Sequence, residues 1–104
     1  MEKQKVAYIA GPYRSSTIRG TVENIRRAEA VALKYWQLGY AVICQHKNTA
    51  LFDGALPDSV WLEGAITLME LCDVVVVFRG YMESSGTIAE INRATFLGME
   101  IIYD

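Results

Sequence analysis

The chain has one histidine and two cysteines in 104 residues, which is too few for the usual zinc constellations. Cys44 and Cys72 form no Cys-x-x-Cys pair. One ends an apolar segment and the other precedes one, so both read as small core residues in a reduced, cytoplasmic setting without metal. Basic charge is also scarce: ten Lys and Arg stand against twelve Asp and Glu, a net charge of −2. That balance excludes a general nucleic-acid binder, which needs a positive excess to neutralise phosphates. No apolar run approaches the roughly 18–20 residues needed to span a bilayer, and Met1–Lys5 carries no signal-peptide pattern, so no membrane partner is expected. No repeat, linker or low-complexity segment divides the chain, which reads as one domain over 1–104. Nothing in it calls for a cofactor. What the chain has in plenty is apolar residues, at 52%. In so small a domain that surplus points to self-association through helix faces, as a homodimer or larger homo-oligomer.

Val6 to Ala10 is short, apolar and closed by Gly11-Pro12, the pattern of a buried strand. From Thr21 to Leu38, Val22, Ile25, Ala28, Val31, Ala32 and Tyr35 recur at helical spacing. Arg19, Glu23, Arg26, Arg27, Glu29 and Lys34 fall largely on the other face, and Gly39 supplies the stop. Ala41 to Cys44 predicts a second strand, and 45–58 an irregular segment carrying Gly54 and Pro57. Asp58 or Ser59 then caps a helix to about Leu71, with Trp61, Ala65, Leu68 and Met69 inward. Asp73 to Phe78 reads as a central parallel strand, Ser85 to Leu97 as a last helix, and Glu100 to Tyr103 as the closing strand. Strands separated by helices predict an α/β fold. Right-handed crossovers make it a flavodoxin-like (Rossmann-like) three-layer arrangement with a short parallel sheet in the order 2-1-3-4.

Ligands in such sheets collect at the carboxyl ends of the strands, near the switch point. Gly11 to Ser16, Gln45 to Asn48 and Arg79 to Gly86 converge there. In Glu83-Ser84-Ser85-Gly86-Thr87-Ile88-Ala89-Glu90 a buried strand hands over to a helix through small residues, so backbone N–H groups can approach an anion. Glu90 follows in the first turns of that helix, its carboxylate directed back toward the mouth. Gly11, Tyr13 and Arg14 add a tight turn, a ring and a guanidinium suited to a phosphate or carboxylate. Taken singly, Arg14 also fits a solvated loop arginine, His46 a hydrogen-bonded structural histidine, and Tyr8 plain core. Asp73, at the opposite end of its strand, reads as structural.

With Tyr8-Ile9-Ala10-Gly11-Pro12-Tyr13-Arg14 near the start and Ser84-Ser85-Gly86-Thr87-Ile88-Ala89-Glu90 near the end, the chain resembles the nucleoside 2-deoxyribosyltransferase-like superfamily. Within it, the likeness is to short phage and bacterial members and to nucleoside 5′-monophosphate N-glycosidases. It spans almost the full length, including Asp58-Ser59-Val60-Trp61 and Cys72-Asp73-Val74-Val75. The resemblance implies cleavage or transfer at an N-glycosidic bond. Glu90 falls at the nucleophile's position and Tyr8 at that of a tyrosine which holds it. Ser84 stands where transferases acting on free nucleosides carry an acid, and Arg14 matches an arginine near the phosphate. Both favour a nucleoside 5′-monophosphate, with Gly11, Tyr13, Arg14, His46, Ser84, Ser85 and Gly86 as its binding set.

One position departs from the pattern. The family's helix aspartate, eight residues ahead of Asp73, is Ala65 here. A missing acid–base group costs on the order of 10²–10⁴-fold in rate. Asp58 is one substitute; Glu63 is another, but points about 200° around the helix. Three readings follow. The first is a nucleotide N-glycosidase releasing free base and sugar 5-phosphate. The second is a nucleotide-binding module with little or no turnover, and the third is a nucleoside deoxyribosyltransferase, against which Ser84 and the end of the chain at Asp104 speak.

Overall fold

The computed structural model describes residues 3–104; Met1 and Glu2, part of the N-terminus read above, lie outside it. The elements run β1 (Val6–Ala10), α1 (Ile18–Gln37), β2 (Ala41–Cys44), α2 (Gln45–Asn48), α3 (Asp58–Glu70), β3 (Val74–Val77), a 3₁₀ turn (Tyr81–Glu83), α4 (Ser85–Phe96) and β4 (Glu100–Tyr103). The four strands form an all-parallel sheet in the order β2-β1-β3-β4, so the flavodoxin-like three-layer fold is present with the expected order.

Strand periodicity builds the layers. Ala7, Ile9, Val74 and Val76 face α1, where they meet Ala28, Ala32 and Tyr35. Tyr8, Ala10, Val75 and Val77 face the opposite way, onto Ala65 and Met69 of α3 and Ala94 of α4. Because β1 and β3 are covered on both faces, all of Val74–Val77 is buried. Burial of each valine contributes roughly 1.5–3 kcal/mol. Asp73 ties the two central strands at their amino ends. Its Oδ2 accepts from the Val6 N–H at 2.7 Å and its own N–H donates to the Val6 carbonyl at 2.8 Å, the structural role expected of it.

Several boundaries differ from the sequence reading. Helix α1 begins at Ile18, before the periodic segment, because Thr17 Oγ1 caps it by accepting from the Gly20 N–H at 2.9 Å. Gly20 is needed in that first turn: a Cβ there would lie 2.0 Å from Ser15 Oγ. Val22 is exposed, and Ala28, Ala32 and Tyr35 carry the buried stripe instead. The segment 45–58 is not wholly irregular, since its first four residues form the single turn α2. Neither Asp58 nor Ser59 caps α3; Pro57 occupies that position, and the Asp58 carboxylate turns to Arg14.

Candidate functional site

A cleft of about 850 Å³ opens at the carboxyl ends of the strands, and every candidate from Tyr8 to Glu90 lies on its wall. Glu90 forms its buried floor. The residue is 7% exposed, and Tyr8, inside the sheet on the same side, donates its hydroxyl hydrogen to Glu90 Oε2. No other hydrogen bond to the Glu90 carboxylate occurs among the described residues, so Oε1 is available to a ligand. Burial raises the Glu90 carboxyl from 4.5 to about 7, and the Tyr8 hydrogen bond works against that rise. Burial, then the neighbouring Glu90 charge, drives the Tyr8 phenol far up, so it stays a donor. A carboxylate near neutrality with a fixed partner is suited to attack or to proton transfer.

The mouth above it is built by the start of α4. Ser84 is the cap: its Oγ accepts from the Thr87 N–H at 3.2 Å and from the Thr87 hydroxyl at 2.9 Å. That hydroxyl is therefore committed to the helix. The amides of Ser85 and Gly86 remain, and neither donates to any group among the described residues. A Cβ on Gly86 would meet nothing nearer than Leu62 Cδ1 at 3.9 Å, so the approach to these amides is open. Two N–H groups left free at the positive end of a twelve-residue helix are suited to an anion.

Arg14 faces this mouth but is engaged, its Nη2 on Asp58 Oδ1 at 2.5 Å. Both side chains are more than half exposed, the kind of pair that exchanges partners at little cost. Tyr13 fastens the 49–57 loop by donating to Asp53 Oδ1 at 2.6 Å and accepting from the Leu51 N–H at 2.8 Å. Burial, then the Asp53 hydrogen bond, raises its phenol. Gly11 is obligatory: a Cβ would sit 2.1 Å from the Phe78 ring. His46 braces the same turn. Its Nε2 lies 3.1 Å from the Gly11 carbonyl and 3.0 Å from that of Pro12, which requires the proton on Nε2. Nδ1 is then a bare acceptor, buried without a partner, and burial lowers the pKa of the ring. Trp61 Nε1 is likewise buried, and neither it nor His46 Nδ1 has a partner among the described residues.

Ala65 is 7% exposed and lines the floor with Tyr8 and Glu90. Of the two substitutes, Asp58 reaches the cleft and Glu63 does not. Sequence reasoning missed Asn24 and Arg27 as residues of the cleft. Arg27 is exposed, as expected, and from there it donates to Asn24 Oδ1 at 3.2 Å and to the Arg79 carbonyl, its guanidinium 5.4 Å from the Phe78 centroid. Asn24 Nδ2 donates to the Tyr13 carbonyl at 3.0 Å. The available signal was helical phase, because Asn24 is one turn before Ala28 on the inward stripe. Asp53, Phe52 and Glu83 also line the cleft, from segments with no periodicity to place them.

The family model described as "Domain of unknown function (DUF7768)" matches residues 5–104. The chain belongs to the DUF7768 family. No curated protein matches it. In this DUF7768 chain the matched span includes the whole cleft, from Tyr8 to Glu90. Among the described residues no group of three His, Cys, Asp or Glu is arranged to hold a metal ion, and no helix is long and apolar enough to cross a membrane.

Proposed function

We propose that this chain is a nucleotide N-glycosidase, splitting a (deoxy)nucleoside 5′-monophosphate into free base and sugar 5-phosphate. The supporting observation is the pairing of Tyr8 with Glu90 beneath the unpartnered amides of Ser85 and Gly86. The phosphate sits on those amides, and Arg14 leaves Asp58 to join it. Glu90 Oε1 attacks the anomeric carbon through an oxocarbenium-like transition state while Tyr8 holds Oε2. The carbon–nitrogen bond breaks and the base departs with its electron pair. Water then displaces Glu90, its hydroxyl going to the sugar and its proton balancing the released base through solvent. The likeness to the nucleoside 2-deoxyribosyltransferase-like superfamily gives the same roles to Glu90, Tyr8 and Arg14. Ser84 caps the helix as an acceptor, which leaves its own hydroxyl hydrogen to the phosphate. Exposed apolar side chains on helices, Leu33 and Trp36 on α1 and Phe96 on α4, support a homodimer or larger homo-oligomer. A monomeric mass by light scattering at micromolar concentration would remove that part of the proposal.

The test is a panel of ribo- and deoxyribonucleoside 5′-monophosphates, with free base followed by chromatography and binding by calorimetry. Release that vanishes in Glu90→Ala supports the glycosidase. Ala65 favours a second reading, a nucleotide-binding module, for which the same panel gives binding without release.

A further inference from the structure

Resting on the glycosidase reading, we propose that the substrate's leaving group is a permanently cationic heteroaromatic ring, such as a pyridinium or an N7-alkylated purine. A neutral base departs as an anion unless it is protonated, and glycoside cleavage ordinarily supplies that proton from a second carboxyl across the sugar. Among the described residues this cleft has no such donor on its buried floor. Glu90 is the one carboxyl there among them, and beside it and Tyr8 stands the methyl group of Ala65. The remaining acids at the wall, Asp53, Asp58 and Glu83, are exposed and lie off that floor, and Asp53 is already engaged with Tyr13 at 2.6 Å. His46 offers no proton either. Its Nε2–H is held between two carbonyls and its Nδ1 is an acceptor, with burial opposing protonation.

What the cleft does offer suits a cation. Asp53, Asp58, Glu83 and Glu90 line it against Arg14 and Arg27, an acidic excess of two when all are ionised. Phe52 and Trp61 stand on the same wall with ring centroids 5.8 Å apart at 53°, an aromatic pair able to receive a flat, positively charged ring. The chemistry then balances without an acid. The Glu90 carboxylate forms a bond to the anomeric carbon as the carbon–nitrogen bond breaks, and that electron pair neutralises the departing ring. Water next displaces Glu90 from the sugar, and its proton passes to the Glu90 carboxylate and on to solvent.

The experiment compares kcat/KM for nicotinamide mononucleotide and N7-methylguanosine 5′-monophosphate with that for AMP and GMP, all on the intact chain. The expected result is at least about a 100-fold preference for the cationic pair, the scale of one acid–base group. Ala65→Asp, which supplies a carboxyl at the empty position, should shift the neutral-to-cationic ratio upward by about tenfold or more. Cleavage of AMP or GMP within tenfold of the cationic probes overturns this inference while leaving the glycosidase reading intact. No cleavage of any probe overturns both. If Ala65→Asp fails to fold, the wild-type ratio decides alone; if it folds and the ratio stays put, the assignment to Ala65 is wrong.

Discussion

Tyr8, in the middle of β1, donates its hydroxyl hydrogen to Glu90 Oε2 on α4, joining two residues 82 positions apart at the buried floor of the cleft. Sheet geometry makes this contact. Tyr8 pairs in register with Val75 of β3 and Ile43 of β2, and the alternation of β1 turns its ring toward the α3–α4 layer. Removing the hydroxyl in Tyr8→Phe leaves a buried acceptor without its donor, at a cost of about 1–3 kcal/mol when Glu90 is ionised. The Glu90 pKa should rise above about 7, because the hydrogen bond that lowers it is gone. Base release should fall about 10- to 100-fold at neutral pH, and its pH midpoint should move upward. A profile unchanged in midpoint would show that Tyr8 does not act through Glu90.

Glu90 should also weaken the fold at alkaline pH. Its carboxyl holds a proton more tightly in the folded chain than in the unfolded one. Between 4.5 and about 7 the folded state therefore binds more protons, and stability falls as pH rises through that window. The contribution is complete below 4.5 and lost above about 7, a difference of about 3 kcal/mol. Glu90→Gln keeps the acceptor for Tyr8 and cannot ionise. It should exceed the wild type by about 3 kcal/mol at pH 8, and by less than about 1 kcal/mol at pH 5, in urea denaturation. Equal stabilities at pH 8 would mean that the carboxyl is not desolvated.

The sequence was legible where one interaction dominates. Four consecutive valines and Phe78, bounded by Asp73 and Arg79, admit little but a central strand, and small residues running into Glu90 mark a helix start under a strand end. The 2-1-3-4 order follows from right-handed crossovers in a flavodoxin-like arrangement. What stayed hidden depends on partners set by tertiary packing. Nothing local says that Arg14 will find Asp58, 44 residues away, or that Tyr13 will fasten Asp53. Arg27 is exposed as its helical phase implies, and Asn24 is its neighbour on α1; what the sequence hides is the Arg79 carbonyl, 52 residues on, which reaches Arg27 only once β3 is in the sheet. The first turn of α1 hides because Ile18 is exposed and lies outside the apolar stripe, and the close approach of Gly20 to Ser15 is invisible without coordinates.

Arg14 separates binding from folding. Its pair with Asp58 is exposed on both sides, so Asp58→Asn should change stability by less than about 1 kcal/mol. The same change frees the guanidinium, and KM for a nucleoside monophosphate should fall or stay level. Arg14→Ala should raise that KM about 10- to 100-fold while hardly touching the affinity for the unphosphorylated nucleoside. Calorimetric titration of AMP and adenosine against both variants reads the difference. Equal losses for the two ligands would remove Arg14 from the phosphate seat.

Gly11 tests whether the β1 turn is a packing solution or only a flexible joint. The amide plane there passes so close to Phe78 that a methyl group would lie 2.1, 2.3 and 2.4 Å from three ring carbons. The ring cannot swing away freely, because the His46 ring packs against it at 5.4 Å, tilted by 53°, and the Arg27 guanidinium lies 5.4 Å from its centroid. Gly11→Ala should therefore cost about 1–3 kcal/mol, the range for overpacking a filled core. It should also displace the Gly11 and Pro12 carbonyls from His46 Nε2, loosening Tyr13 and Arg14 just beyond. Gly11→Ala combined with Phe78→Leu, which withdraws the ring edge, should recover part of that stability. Recovery by denaturant midpoint identifies the clash as the cause. An additive double variant would mean that the turn, and not the ring, requires glycine.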